Sequence, residues 1–208
     1  MGAFVDNRQR NGMSRCQVRG MAALDLRTSR LHLRPVRPDD ARATAALMDD
    51  EIASYLTTWP PDMSPRQARA RIAVAEERLA QREAVELAIL RRSTEQLLGW
   101  ISFIIECPGS GAATIGFWLG REHQGQGLMT EAAAAAIPAA ADFLDVRALE
   151  AFVYPWNSAS IALSRKLGFR AVGGTAFYSP VRKQTEEAFL FRRKIADSEF
   201  APRAADAA

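Results

Sequence analysis

The chain has 208 residues, 48% hydrophobic and 25% charged, enough to bury one ordinary globular core and unlike a fibrous or wholly disordered sequence. Its net charge of +3 comes from arginines spread along the whole length, which marks out neither a nucleic acid nor a membrane as partner and suits an anionic small ligand equally well. Two cysteines, Cys16 and Cys107, and two histidines, His32 and His123, are too few and too scattered for a zinc site, so no metal is expected.

Residues 1–25 are polar, basic and unpatterned, and are expected to form a disordered extension. They hold no signal-peptide core, and no later stretch approaches the ~20 apolar residues of a membrane span, so the chain reads as cytoplasmic with free thiols. "SRLHLRPV" alternates like a strand, and "RPDDARATAALMDDE" follows as a helix with acidic residues at its start. "SPRQARARIAVAEERLAQRE" opens with Ser64 as N-cap, Pro65 at the first helical position and Gln67 completing a capping box. Ala68, Ile72, Ala75 and Leu79 then form one apolar stripe, which lays this helix on a core.

Three strand-like runs come next, "VELAILRR", "LLGWISFIIE" and "ATIGFWLG", separated by turn-prone segments. The middle run is apolar on both alternating faces, so helices should cover the sheet on both sides. A helix from Met129 to about Leu144 carries Pro138, which should kink it or end its first half. "LEAFVY" is a further strand, "NSASIALSRKLGF" a short helix stopped by Gly168, and "TAFYSPV" with "EEAFLFRRKI" a closing hairpin. Trp100, Phe103 and Phe189 are assigned to the core. The tail, 196–208, has little to bury and should fray, leaving 26–195 as the folded unit.

"HQGQGLMTEAAAAA" is the candidate ligand-binding turn, set against the plain alternative that paired glycines only bend the chain. A strand delivers the chain to a turn whose Gly125 and Gly127 offer no side chains to fend off a ligand, and the following helix N-terminus favours phosphate oxygens. Thr130 stands where a dinucleotide fingerprint needs its third glycine, and no Gly-Lys-Ser/Thr of a P-loop occurs.

Gln124-x-x-Gly127-x-Met129, with Asn157-x-x-Ser160 and Leu167-Gly168-Phe169 after the next strand, resembles the GNAT family of acyl-CoA-dependent N-acyltransferases. "LRPVRPDDA" and "YLTTWPP" resemble the branch that contains the ribosomal-protein N-terminal alanine and serine acetyltransferases, and the similarity covers most of residues 28–195. It implies a single α/β domain, a mixed, mostly antiparallel sheet flanked by helices on both faces. That sheet is splayed between the family's fourth and fifth strands, here "ATIGFWL" and "LEAFVY". It implies acetyl-CoA as co-substrate, with its pyrophosphate on the amides of Gln124, Gly125, Gln126, Gly127, Leu128, Met129 and Thr130. The pantetheine arm would run beside Phe117, Trp118 and Leu119 like an added strand, hydrogen-bonded by Asn157, with Lys166 or Arg165 at phosphates.

Three positions depart from that pattern. Met129 replaces a glycine or alanine, which a backbone contact tolerates. Ser164 replaces the tyrosine that protonates the leaving thiolate in many relatives, and Thr114 replaces a glutamate linked to base chemistry. The resemblance then makes Ser160, beside the sulfur, the leading general acid, with His123, Glu86, Glu106 and Glu122 as weaker candidates for proton transfer. Tyr55, Trp59 and Tyr178 are the candidate acceptor pocket. The implied reaction is direct acetyl transfer to a primary amine, on a protein N-terminus or a small molecule, without nucleic-acid or membrane partners and with a homodimer left open. The alternatives are an acyl-CoA-binding module without turnover and a nucleotide-binding domain of another fold.

Overall fold

The computed structural model describes residues 22–199. The leader expected to be disordered lies outside the described residues up to 21, as does the tail from 200 onward. The boundary residues belong to the fold: Leu24 is fully buried, and Glu199 accepts a hydrogen bond from the Ala196 amide at 3.0 Å.

Strands β2 (Leu31–Pro35), β3 (Ala84–Arg91), β4 (Gln96–Ile104) and β5 (Ala112–Leu119) pair antiparallel in sequence order, and a two-residue β1 (Leu26–Arg27), unexpected from the pattern, extends the edge beyond β2. β6 (Ala148–Val153) then joins β5 in parallel. The hairpin of β7 (Arg170–Ser179) and β8 (Gln184–Lys194) completes an eight-stranded sheet in the order β1-β2-β3-β4-β5-β6-β8-β7. Helices α1 (Ala41–Leu47), α2 (Asp50–Ser54) and α3 (Pro65–Ala80) cover one face; α4 (Leu128–Leu144) and α5 (Ser158–Lys166) cover the other.

The two-sided reading of β4 holds. Leu98, Ile101 and Phe103 belong to the apolar cluster beneath α4, and Leu97 and Trp100 to the cluster beneath α1–α3. The capping box forms as expected: Ser64 Oγ accepts from the Gln67 amide, the Ser64 amide donates to Gln67 Oε1 at 2.8 Å, and the stripe Ala68, Ile72, Ala75 and Leu79 is buried.

Four expectations need correction. The helix read across residues 37–51 is broken: Pro38–Asp40 is a 3-10 turn, Met48 is extended, and Asp49 starts α2 afresh by accepting from the Ile52 amide at 2.9 Å. The second break follows from Asp49, whose side chain offers the backbone a cap in place of another helical turn. Of the two outcomes expected at Pro138, the ending of the helix does not occur, because buried Ile137, Ala140, Ala141, Phe143 and Leu144 hold the second half in the core against the ~3 kcal/mol cost of an internal proline. β7 begins at Arg170 rather than near Thr175. Phe189 is 40% exposed, because β7 and β8 form the outer margin of the sheet. None of the helices among the described residues is long and apolar enough to cross a membrane.

Candidate active site

β5 and β6 pair only through Ala112–Thr114 and Ala148–Glu150. Beyond those residues the strands part, and the edge of β5 from Ile115 to Leu119 faces a cleft of about 780 Å³ instead of a neighbouring strand. A strand edge presents a row of unpaired amides and carbonyls, so this one can accept an extended ligand by main-chain hydrogen bonding.

The end of β5 bends closely over β4. A Cβ on Gly99 would lie 2.1 Å from the Trp118 carbonyl oxygen and 2.8 Å from Leu119 Cα, so only glycine permits the approach. From there the chain passes a 3-10 turn, Arg121–His123, into the glycine loop. Gly125 and Gly127 sit at φ 71° and 73°, in the left-handed region that glycine adopts without a steric cost. The glutamine side chains fold back: Gln124 Nε2 donates to the Leu119 carbonyl at 2.9 Å and Gln126 Nε2 to the Glu122 carbonyl at 2.8 Å.

Gly127 caps α4 without a side-chain hydrogen bond, and the first intrahelical amide to find a partner is that of Glu131, on Gly127 O at 3.1 Å. The amides of Leu128, Met129 and Thr130 are therefore orphan donors at the positive end of a 17-residue helix lining the cleft. That is the arrangement that binds phosphate oxygens.

One tie holds this helix end in place. Glu131 accepts from Thr28 Oγ1 at 2.6 Å, Ser29 Oγ at 3.0 Å, the Arg30 amide at 2.9 Å and Arg30 Nε at 2.6 Å, while Arg30 also donates to the Gln126 carbonyl at 3.0 Å. Burial pushes the Glu131 carboxyl up, but the hydrogen bonds outweigh it and hold the group at about 2, against an ordinary 4.5. A depressed carboxylate stabilises the fold above its unfolded pKa and loses that contribution as pH falls through the folded value. Glu131→Gln should therefore lower the melting temperature at neutral pH, and the gap to the parent should close between about pH 4.5 and about pH 2. A gap that persists unchanged to the acid end would contradict this role.

Asn157 is the N-cap of α5 and accepts from the Ser160 amide at 2.9 Å, which leaves its Nδ2 donor for a ligand. Asn157 and half-buried Ser160 both line the cleft, across from Phe117, Trp118 and Leu119. Gln124, Gly125, Gly127, Leu128, Met129 and Thr130 line it as well; Gln126 and the exposed Lys166 do not. His123 is buried rather than a surface residue, with Nε2 3.2 Å from Glu122 Oε1 but no hydrogen-bond partner.

On the acceptor side the structure brings Tyr55 and Tyr178 to the mouth of the cleft. Trp59 is not there. It lies in the core beneath α3, edge-on to Trp100 and Trp118 with centroids 5.1 Å away in both cases, under the Arg71 guanidinium. The mouth has other aromatics that the sequence did not single out: Trp156, 58% exposed, stacks on Tyr154 at 4.5 Å and tilts against Tyr55 at 5.4 Å, with Phe177 beside Tyr154.

Tyr154 donates to Glu186, whose carboxylate also accepts from Arg182 Nε and Nη2 at 2.6 Å, and Arg182 reaches the Leu56 carbonyl at 3.0 Å. This network ties the β7–β8 turn to the loop after α2 across the mouth. The Arg182 guanidinium holds Glu186 down at about 2, while burial and the Glu186 carboxylate push the Tyr154 phenol up. Tyr154 thus keeps its proton.

The family model of the acetyltransferase (GNAT) domain matches residues 30–170. An N-acetyltransferase designated p20 from Bacillus licheniformis is 30% identical over 168 residues, 80% of this chain and 93% of that one. Among solved structures, the ribosomal-protein-S5-alanine acetyltransferase from Vibrio fischeri is similar with a TM-score of 0.72 at 19% identity, covering 83% of this chain and 97% of that chain. RimL, a ribosomal L7/L12 α-N-protein acetyltransferase solved with coenzyme A, also has a TM-score of 0.72, at 24% identity over 82% and 97%. The family match spans more than half of the sequence and agrees with the splayed sheet and the glycine-capped helix: this chain belongs to the GNAT acetyltransferase family.

Proposed function

We propose that this acyltransferase moves the acetyl group of acetyl-CoA directly onto a primary amine, on a protein N-terminus or a small molecule. The observation that carries the cofactor half is the run of orphan amides at the start of α4, continuous with the unpaired edge of β5. The pyrophosphate lies on the amides of Gln124 to Thr130 and the pantetheine arm along Phe117 to Leu119, with Asn157 Nδ2 donating to it. The amine enters past Tyr55 and Tyr178. The structural neighbours from Vibrio fischeri and RimL are acetyltransferases of ribosomal proteins, which supports a protein α-amine here.

A thioester is already activated, so most of the work is positioning, which contributes up to about 7–11 kcal/mol in well-oriented reactions. A backbone amide near Leu119, held by the close approach at Gly99, stabilises the oxyanion as it develops. Ser160 returns a proton to the departing thiolate. An α-amine, with an unperturbed pKa of about 7.7–8.0, needs little help to lose its proton at neutral pH, whereas a lysine at about 10.4 needs much more. Thr114 in place of a glutamate therefore favours the terminal amine.

Thiol release from acetyl-CoA with a panel of amines and peptides tests the reading. Transfer above the blank is expected; cofactor binding without release would instead make the chain a non-catalytic acyl-CoA module. In the same assay Ser160→Ala should lower kcat about tenfold or more with KM for acetyl-CoA within about threefold. Asn157→Ala should raise that KM and cost about 1 kcal/mol of stability through the lost cap. Unchanged kcat in Ser160→Ala removes it as the acid.

A further inference from the structure

A smaller cavity of about 150 Å³ opens beside the main cleft and shares Glu106, Thr114, Gly116, Phe117 and Trp118 with it. Its far wall is Arg71 from α3 and Glu86 from β3. Glu86 pairs in register with Ser102, and Ser102 with Gly116, so one row across the sheet leads from Glu86 to the free edge of β5.

Buried side-chain polar atoms nearly always have a partner, because leaving one bare costs the whole of its desolvation. Four such atoms lack one here among the described residues, and three belong to residues that line this small cavity: Glu86 Oε2, Arg71 Nε and Trp118 Nε1. Glu86 is 5% exposed and Trp118 6%. Arg71 is held over the Trp59 ring, 4.0 Å from its centroid, and spends its terminal nitrogens on Thr58 at 3.3 and 3.2 Å, so it forms no salt bridge to Glu86 and its Nε remains to donate.

We propose that this cavity is a specificity pocket for the acceptor, built for a neutral group that donates and accepts hydrogen bonds at once, of which the primary carboxamide is the simplest. Its oxygen accepts from Arg71 Nε and Trp118 Nε1, and its NH2 donates to Glu86 Oε2. A carboxylate in the same place is attracted by Arg71 but repelled by Glu86, and an ammonium the reverse, so neither charged group offsets the cost of its own desolvation. An aliphatic group of the same shape leaves all three atoms bare, which is the situation in which a hydrogen-bonding site discriminates most strongly. At roughly 30 Å³ per water, the space is about that of five waters, enough for the side chain of asparagine. The pocket abuts Gly116 and Phe117, so a group near the amine carbon can enter it while the amine faces the edge of β5.

This proposal rests on acetyl transfer as the activity. Its test is kcat/KM for coenzyme A release with tripeptides headed by Asn, Leu, Asp and Ala, and with the matching free amino-acid amides, so that peptide and small-molecule sources of the carboxamide are told apart. The Asn-headed acceptor should exceed the Leu-headed one about 30-fold. Glu86→Met and Arg71→Met should bring that ratio to within about threefold of one, and Glu86→Gln, which keeps an accepting oxygen, should retain most of it. Glu86→Met should not lower the melting temperature, since it removes a buried carboxylate with a bare oxygen, whereas a merely structural Glu86 would lower it. Transfer to all acceptors without an Asn preference, or a preference that survives both methionine variants, overturns the pocket and leaves acetyl transfer standing. No release above the blank with any of these acceptors overturns both.

Discussion

Gly127→Val is expected to raise the dissociation constant for coenzyme A about 100-fold while the protein stays folded. Gly127 sits at φ 73° as the cap of α4, where a side chain costs about 1–2 kcal/mol, more for a branched one. The space around it is open, with the nearest atom to an added Cβ being Arg30 Nη2 at 3.8 Å, so the loss of stability is confined to that backbone strain. At roughly 2–4 °C per kcal/mol for a domain of this size, the melting temperature should fall by about 3–8 °C. The binding loss is larger for a different reason. The amides of Leu128 to Thr130 are aimed by the turn at Gly127, and a backbone that relaxes away from a positive φ turns them from the phosphates. Charge-assisted hydrogen bonds contribute about 1.5–3 kcal/mol each, so losing one or two gives a change of that order. Titration calorimetry on the folded variant checks it, and an unaltered affinity would remove the glycine loop from the site.

Gly99→Ala should be the most damaging single methyl in the sheet. The added carbon would lie 2.1 Å from the Trp118 carbonyl oxygen, and both that oxygen and Leu119 Cα, at 2.8 Å, are backbone, so no rotamer relieves the overlap. Either β4 or the end of β5 must move. Overpacking of this kind costs about 3 kcal/mol, which corresponds to a fall of about 10 °C. Because the displaced segment is the edge proposed to hold the thioester, kcat should fall with stability. Thermal melting and thiol release on the same preparation test both halves, and a melting temperature within 2 °C of the parent would contradict the close approach.

What could be read from the sequence was what is local. The Ser64–Gln67 box and its stripe, the two-sided β4, and the Gly125–Gly127 turn before an alanine-rich helix are each fixed within a few residues, and each appears in the structure. What escaped depends on partners far apart in the chain. Glu131 reads as an acidic residue in a first turn, and nothing in its neighbourhood announces Thr28, Ser29 and Arg30, about a hundred residues away. Trp59 and Trp156 are both tryptophans beside prolines, yet the first packs edge-on between Trp100 and Trp118 and the second stands open on Tyr154. Arg182, in the β7–β8 turn, and Glu186, near the start of β8, go unremarked until the fold brings Tyr154 to them. The resemblance to GNAT enzymes located the parting of β5 from β6, but the cavity between Arg71, Glu86 and Trp118 required three elements to be assembled first.

Amide hydrogen exchange with and without coenzyme A tests the central claim most directly, because each amide in the site reports separately. The account expects new protection on residues 115–119 and 124–130, a smaller effect at 157–160, and little change in β1–β3. Absence of protection along residues 115–119 and 124–130 at saturating coenzyme A, or protection concentrated elsewhere, would contradict it.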